Sequence, residues 1–460
     1  MKNKTALLFL ILALTALLIG VFFGLLAALQ YIIPDLLKDY IPFNKVRPFH
    51  VTSTISWIVL CATGSIYFFI TQIEHLKLFS SKLIHTHFII FIVTGIGIYV
   101  SFLTGKMEGR EYLAYSPILT IPILLGWILF GVNYFKTIIQ NVKNWPVYYW
   151  MWGTGIIFMI YHLSEAHFWL IPNFREYFIR DISVQWKSYG SFVGSWNMLV
   201  YGIAIYIMSK IKKDESSARG KTVFFFYFLG LTNLMFGWAH HTYIIPTQPW
   251  IRYVAYGVSM TEWILLIYII REWKKSLTKE DKKSYCMAYK FLITADFWVF
   301  LNLILALLFS IPAINFFTHG THITVAHSMG TTIGINTTIL FASVFFIVSK
   351  INPSFKINQF AVKYGRNLFR ISLFLFWITL LIAGVKKSYW MYFSENIFFS
   401  EMQDSLYYVY LAIFVFGMGL AISIISLGTV LIRVLTKTLK NQENLVLYSA
   451  TLLIIINYQY

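Results

Sequence analysis

The stretch Thr318-His319-Gly320-Thr321-His322-Ile323-Thr324-Val325-Ala326-His327-Ser328-Met329 decides how this chain is read. It opens an apolar run that continues to about residue 349, long enough to cross a bilayer as a helix. Ionisable residues in such a run are costly beside lipid and mark function. Imidazole is also the commonest side-chain metal ligand. His327 and Met329 stand two positions apart, so on a helix they face nearly opposite sides and could ligate two different groups.

Outward from that stretch, apolar runs of spanning length recur at about 5–33, 50–73, 83–104, 116–138, 147–170, 188–211, 221–244, 251–272, 286–313, 322–349, 368–386 and 404–436. The 460 residues are 58% hydrophobic and 12% charged, with a mean hydropathy of +0.67. That composition excludes an ordinary soluble domain. Barrel-type alternation is missing, which leaves helices as the spanning elements. The predicted fold is an all-α polytopic membrane protein: a twelve-transmembrane-helix bundle over residues 1–441. A short apolar tail, 442–460, would lie at the interface or against the bundle.

The net charge of +18 first suggests nucleic acid, but its placement argues for a membrane. Lys and Arg crowd alternate loops: Lys210–Lys213 with Arg219–Lys221, Arg271–Lys283, Lys350–Arg370 and Arg433–Lys440. This is the positive-inside pattern; it predicts cytoplasmic termini and no nucleic-acid partner. Cys61 and Cys286 are far apart and form neither CxxC nor CxxCH, so the chain carries no covalent haem motif and no Cys-based cluster. The run from Lys4 to Ile33 is too long for a signal-peptide core and reads as a retained first helix.

With the N-terminus inside, helix directions follow. His50 opens the second helix, His240 and His241 close the seventh, and His327 lies early in the tenth. Asn197 is about halfway down the sixth, with Tyr201 one turn deeper. All of these fall in the outer half of the membrane. Adjacent helical residues point about 100° apart, so His240 and His241 could flank one metal, or could bond carbonyls and water at an interface.

These residues carry a family resemblance. Arg47-Pro-Phe-His50, Gly109-Arg-Glu-Tyr-Leu113, Gly237-Trp-Ala-His-His-Thr-Tyr243 and Thr318-His-Gly-Thr-His-Ile-Thr-Val-Ala-His327 together resemble the catalytic subunit of the haem–copper oxidases, specifically the nitric oxide reductase branch. The resemblance covers almost the whole chain and implies two b-type haems and one non-haem metal. By position, His50 matches a low-spin haem ligand and His327 the proximal ligand of a high-spin, catalytic haem. His240 and His241 match two ligands of the non-haem metal, which the branch makes iron rather than copper. Glu262 matches a glutamate near that metal, where it could relay protons or serve as a hydrogen-bonded structural group.

The chain departs from the pattern at three positions. Asn197 stands where the family has the third metal-ligating histidine, and an amide oxygen is a weaker, harder ligand than imidazole. Tyr201 stands where the reductases have a glutamate. At i+4 it shares a helix face with Asn197, as a redox-active tyrosine does in the oxygen reductases, or it could simply be a buried tyrosine bonded to a haem group. Met329 replaces a histidine, so the low-spin haem would be His50/Met329, with a raised potential. His319 and His322 could bond haem propionates. Gly109-Arg-Glu-Tyr resembles a stretch near a calcium and propionate site, but the next glutamate of that pattern is Ala114 here, which argues against calcium. His162, Glu165 and His167 could form a further metal site or a polar interfacial patch.

The expected function is reduction of NO to N2O in a bacterial inner (plasma) membrane, with electrons arriving from outside through the low-spin haem from a cytochrome c-type partner subunit. NO dismutation to N2 and O2, favoured by Asn197, and O2 reduction, favoured by Tyr201, are alternatives at the same centre. A secondary transporter using histidines for proton coupling is an alternative of another class.

Overall fold

Backbone surrounded by lipid must satisfy its own hydrogen bonds, and this chain does so as helices. A computed structural model describes residues 3–73, 76–139, 142–259, 261–353 and 359–457; Gln359 and residues 442–457 are described by backbone alone. The principal helices are α1 (Lys4–Ile32), α2 (Phe43–Thr71), α3 (Ser81–Leu103), α4 (Thr120–Ile138), α5 (Val147–Glu165), α6 (Phe178–Lys212) and α7 (Lys221–Phe236). They continue with α8 (Pro249–Val258), α9 (Thr261–Ser276), α10 (Cys286–Ser310), α11 (His322–Met329), α12 (Thr338–Ile351), α13 (Gln359–Phe393) and α14 (Tyr407–Asn457). Among the described residues no strand forms.

Eleven helical stretches among the described residues are long and apolar enough to cross a membrane. The helix α5 is the twelfth: its 19 residues suffice in length, while Tyr148, Tyr149, Trp150, Trp152, His162 and Glu165 reduce its hydropathy. The twelve-helix bundle predicted from the apolar runs is the observed architecture. Within it α1 lies along α2 and α14, α5 along α6, α10 along α12 and α13 along α14. Trp57, Trp127, Trp152, Trp263 and Trp298 fill its interior, each almost wholly buried.

The helix ends differ from the predicted ones in instructive ways. The helix α2 starts at Phe43, so His50 lies two turns inside it rather than at its mouth. The apolar run ends near residue 436, but α14 stays helical to Asn457, because Lys440-Asn-Gln-Glu-Asn444 is polar without a glycine or proline to stop a helix. The expected separate tail thus begins inside α14; its side-chain packing lies outside the described residues. The single run predicted over 251–272 is two helices, because Ser259 leaves helical geometry (φ −59°, ψ 118°) after α8. His240 and His241 lie not on α7 but in a 3-10 stretch, Gly237–Thr242, that continues it. Between α11 and α12 runs a π-helical stretch, Gly330–Thr337. Such stretches cluster at functional sites.

Interactions across the loops bring the histidine-bearing segments to one end of the bundle. Arg47 pairs with Glu111. Its neighbour Arg110 reaches Asp181 at 2.7 Å, near the start of α6. One turn on, Trp186 stacks on His241, and both rings lie 6.3 Å from His319. Lys387 on α13 then donates to the Gly320 carbonyl at 3.1 Å.

Candidate functional site

His50 stands against α1. Its Nδ1 lies 2.7 Å from the Gly20 carbonyl oxygen. A carbonyl only accepts, so Nδ1 carries the proton and Nε2 keeps its lone pair for a ligand bond. Met329, at the end of α11, is half-buried and packs on the main core. The helix carrying His50 is tied to the π stretch beyond Met329 by Trp57 Nε1, which donates to Thr337 Oγ1 at 3.0 Å.

A second group gathers His327, His240, His241 and His319. His327 is buried between the rings of Trp263 and Phe309, at 6.2 and 5.5 Å between centroids. Its backbone carbonyl accepts from Asn302 Nδ2 and Thr331 Oγ1, both at 3.1 Å, where α11 gives way to the π stretch. The rings of His240 and His241 are 4.2 Å apart, and His241 stacks on Trp186 at 4.9 Å with only 4° between planes. Asn315 Nδ2 holds the His240 carbonyl at 3.0 Å. The 3-10 turn depends on Gly237: a Cβ there would fall 2.0 Å from Asn233 Oδ1. Burial pushes the His319 imidazole below its usual pKa, so it is neutral. His322 is the first residue of α11, and its ring lies 5.8 Å from that of Tyr410.

Asn197, Tyr201 and Glu262 line one cavity with Asn233, Met198 and Met151. Its volume of about 20 Å³ is room for one water. The shared face expected for Asn197 and Tyr201 is therefore real. Trp263 Nε1 donates to the Tyr201 hydroxyl at 3.1 Å, which leaves that hydroxyl its own proton to donate. Glu262 sits in the first turn of α9, where the helix end favours a carboxylate. Asn233 Nδ2 donates to its Oε1 at 2.9 Å, and its buried Oε2 has no hydrogen-bond partner among the described residues. The Asn197 Oδ1 accepts from Asn336 Nδ2 at 3.1 Å, so one of its lone pairs is taken.

Among the described residues no three His, Cys, Asp or Glu side chains form a group able to hold a metal ion. His240 and His241 adjoin each other, while Asn197 lines the cavity with Glu262. Single imidazoles still offer a metal a donor. Nδ1 of His240 and Nδ1 of His327 are both buried and without a hydrogen-bond partner among the described residues, a costly state that a coordinate bond relieves.

The outlying candidates resolve as polar structure. His162 Nδ1 lies 2.9 Å from Glu165 Oε2, and Lys187 Nζ reaches the other oxygen at 2.5 Å. His167 turns away to Thr120 Oγ1 at 2.9 Å, so the three side chains do not converge, and His162 and Glu165 form a polar patch with Lys187. Sequence reasoning missed Asn233, Asn302, Asn315 and Asn336. Their one signal was an uncharged polar side chain inside an apolar run.

The comparisons with known proteins fit this geometry. Residues 4–420 match the family described as cytochrome c and quinol oxidase polypeptide I. A nitric oxide reductase subunit of Stutzerimonas stutzeri is 22% identical over 395 residues, covering 79% of this chain and 80% of that protein. A cytochrome c oxidase subunit 1 homolog of Agrobacterium tumefaciens (strain T37) is 22% identical over 367 residues, 72% of this chain and 64% of that protein. The solved structure of a haem–copper terminal oxidase dimer superposes with a TM-score of 0.73 at 16% identity, covering 94% of this chain and 84% of that one. With buried imidazoles at one end of a twelve-helix bundle and a family match along nine-tenths of its length, the chain belongs to the cytochrome c and quinol oxidase polypeptide I family, within the haem–copper oxidase superfamily.

Proposed function

We propose that the protein is a nitric oxide reductase-like catalytic subunit that converts two NO, two electrons and two protons to N2O and water. The observation that carries this reading is the junction of Glu262, Asn197 and Tyr201 on one water-sized cavity in the interior of the bundle. The similarity to the nitric oxide reductase chain of Stutzerimonas stutzeri supports it. Family membership in a redox enzyme superfamily stands against the transporter alternative.

His50 and Met329 would hold a low-spin b-type haem, His327 a high-spin one, and His240 and His241, with Asn197 as a weak third donor, a non-haem iron. Bound there, the haem–metal pair would supply the electrons and the sites at which two NO meet. The chain's own residues do the rest. Asn302 and Asn315 fix the segments that carry His327 and His240 through their backbone carbonyls. The unpaired Glu262 oxygen is placed to hold a proton beside the cavity, and one water would carry it to the reacting oxygen. Trp186 covers one face of the His241 ring. Electrons would enter from a cytochrome c-type partner on the outer face, with the chain in a bacterial plasma membrane and its termini cytoplasmic.

Tyr201 favours a second reading at the same centre. Its hydroxyl accepts from Trp263 and keeps a proton to give into the cavity, as O2 reduction or O2 release from NO would use. Anaerobic turnover of isotopic NO with gas analysis separates the two. N2O as the main product supports reduction. O2 and N2 without N2O overturn it in favour of dismutation, and O2 consumption without NO turnover overturns it in favour of oxygen reduction.

A further inference from the structure

The ring of His50 is not merely near α1; it lies in a groove that the helix makes by omitting a side chain. A Cβ built on Gly24 would fall 2.8 Å from both Cε1 and Nδ1 of His50, far inside van der Waals contact. One turn below, the Gly20 carbonyl takes the Nδ1 proton at 2.7 Å. A Cβ on Gly20 would press on Thr54 Cγ2 at 3.1 Å and Ser53 Cβ at 3.2 Å, so this glycine brings the backbones of α1 and α2 together. Positions i and i+4 share a helix face. Gly24 therefore lets the ring approach the backbone closely, and Gly20 meets it there with an acceptor. Thr54 Oγ1 bonds the His50 carbonyl at 2.9 Å and fixes the backbone that carries the ring.

We infer that Gly20 and Gly24 of α1 are positioning residues that set both the orientation and the tautomer of the His50 imidazole, and through it the low-spin haem. This rests on the proposed role of His50 as a ligand of that haem. A carbonyl on Nδ1–H makes Nε2 a more basic donor, and a ligand held rigidly by its outer partner keeps its metal more tightly. Displacing the ring from the groove removes both effects and leaves the ring free to turn.

The experiment uses the purified, haem-loaded protein. Gly24→Ala is expected to lose half or more of the low-spin haem signal in the reduced-minus-oxidised spectrum, to shift the ferric low-spin electron paramagnetic resonance lines, and to raise the potential of the haem that remains. The high-spin signal should be unchanged. Gly95→Ala, where a Cβ meets nothing within 4 Å, should match wild type. His50→Ala tests the underlying reading separately. If it retains the low-spin haem, the ligand assignment fails. If it loses that haem while Gly24→Ala keeps the wild-type spectrum and potential, the groove inference alone fails. Should Gly24→Ala not fold, His50→Gly vacates the ring's space, and imidazole in solution should restore the low-spin spectrum. The double variant His50→Gly/Gly24→Ala should then need at least tenfold more imidazole. Equal imidazole affinity in the two overturns the inference.

Discussion

Replacing Asn233 by leucine keeps the shape of the side chain and removes the side-chain amide that donates to the Glu262 carboxyl. Glu262 is 3% exposed and its second oxygen already has no hydrogen-bond partner among the described residues, so the substitution takes a donor from a buried carboxyl that is already short of them. In a bilayer interior no bulk water replaces the lost donor. A buried polar group deprived of its partner costs about 1–3 kcal/mol, a shift of roughly 5- to 150-fold in the folded-to-unfolded ratio. Exchanging both partners at once should be much milder, because nothing polar is then left buried. The double variant Asn233→Leu/Glu262→Met is therefore expected to be more stable than Asn233→Leu alone, recovering most of its loss. The assay is denaturant unfolding of the solubilised protein, followed by near-ultraviolet dichroism of its buried tryptophans, for wild type, both single variants and the double. Strictly additive losses would refute the reasoning, since they would mean that the 2.9 Å contact couples nothing.

Under the proposed ligand set, Met329→His should lower the low-spin haem potential, because imidazole favours the ferric state more than a thioether does; an unchanged potential and spectrum in a redox titration would remove Met329 from the set. Asn197→His supplies the missing third imidazole, so more non-haem metal per chain should survive dialysis against a chelator, measured by elemental analysis. Tyr201→Phe deprives Trp263 Nε1 of its acceptor and should cost about 1–3 kcal/mol of stability in the same unfolding assay. On the reductase reading that variant still makes N2O from NO at a rate within a few-fold of wild type; abolition of all gas turnover would instead favour the tyrosine-dependent chemistry.

The helices could be read from apolar length because burial in lipid imposes a length and little else, and α1, α3 and α10 obey it closely. What apolar length cannot encode is a local break in a helix. Ser259 leaves α8 inside a run that reads as continuous. The switch to a π stretch at Gly330 is fitted to α10, where a Cβ on Gly330 would strike Asn302 and one on Gly334 would strike Trp298, each at 2.5 Å. The π stretch depends on a neighbouring helix that its own apolar run does not encode. The histidines were legible because an imidazole in an apolar run is expensive wherever it lies. Tyr201 was legible through its i+4 spacing from Asn197. His162 and Glu165 show the limit of such reasoning: the same residue types, in an equally apolar setting, make an ion-paired patch with Lys187.

The four asparagines show what the site demands of its surroundings. Asn302 holds the His327 carbonyl, Asn315 the His240 carbonyl, Asn336 the Asn197 amide and Asn233 the Glu262 carboxyl. Each comes from a different helical segment, and each gives the same thing, a neutral N–H. A lysine or arginine could make these bonds more strongly, but it would bring a full charge into a low-dielectric interior and repel any cation held by the imidazoles. An amide costs less to bury and does not change charge with pH. At Asn197 the proposed ligand set puts the same side chain in the ligand position itself, where Asn336 holds it. Under the proposed ligand set the centre would thus have a third donor that is fixed but weak, and a loosened third coordination position.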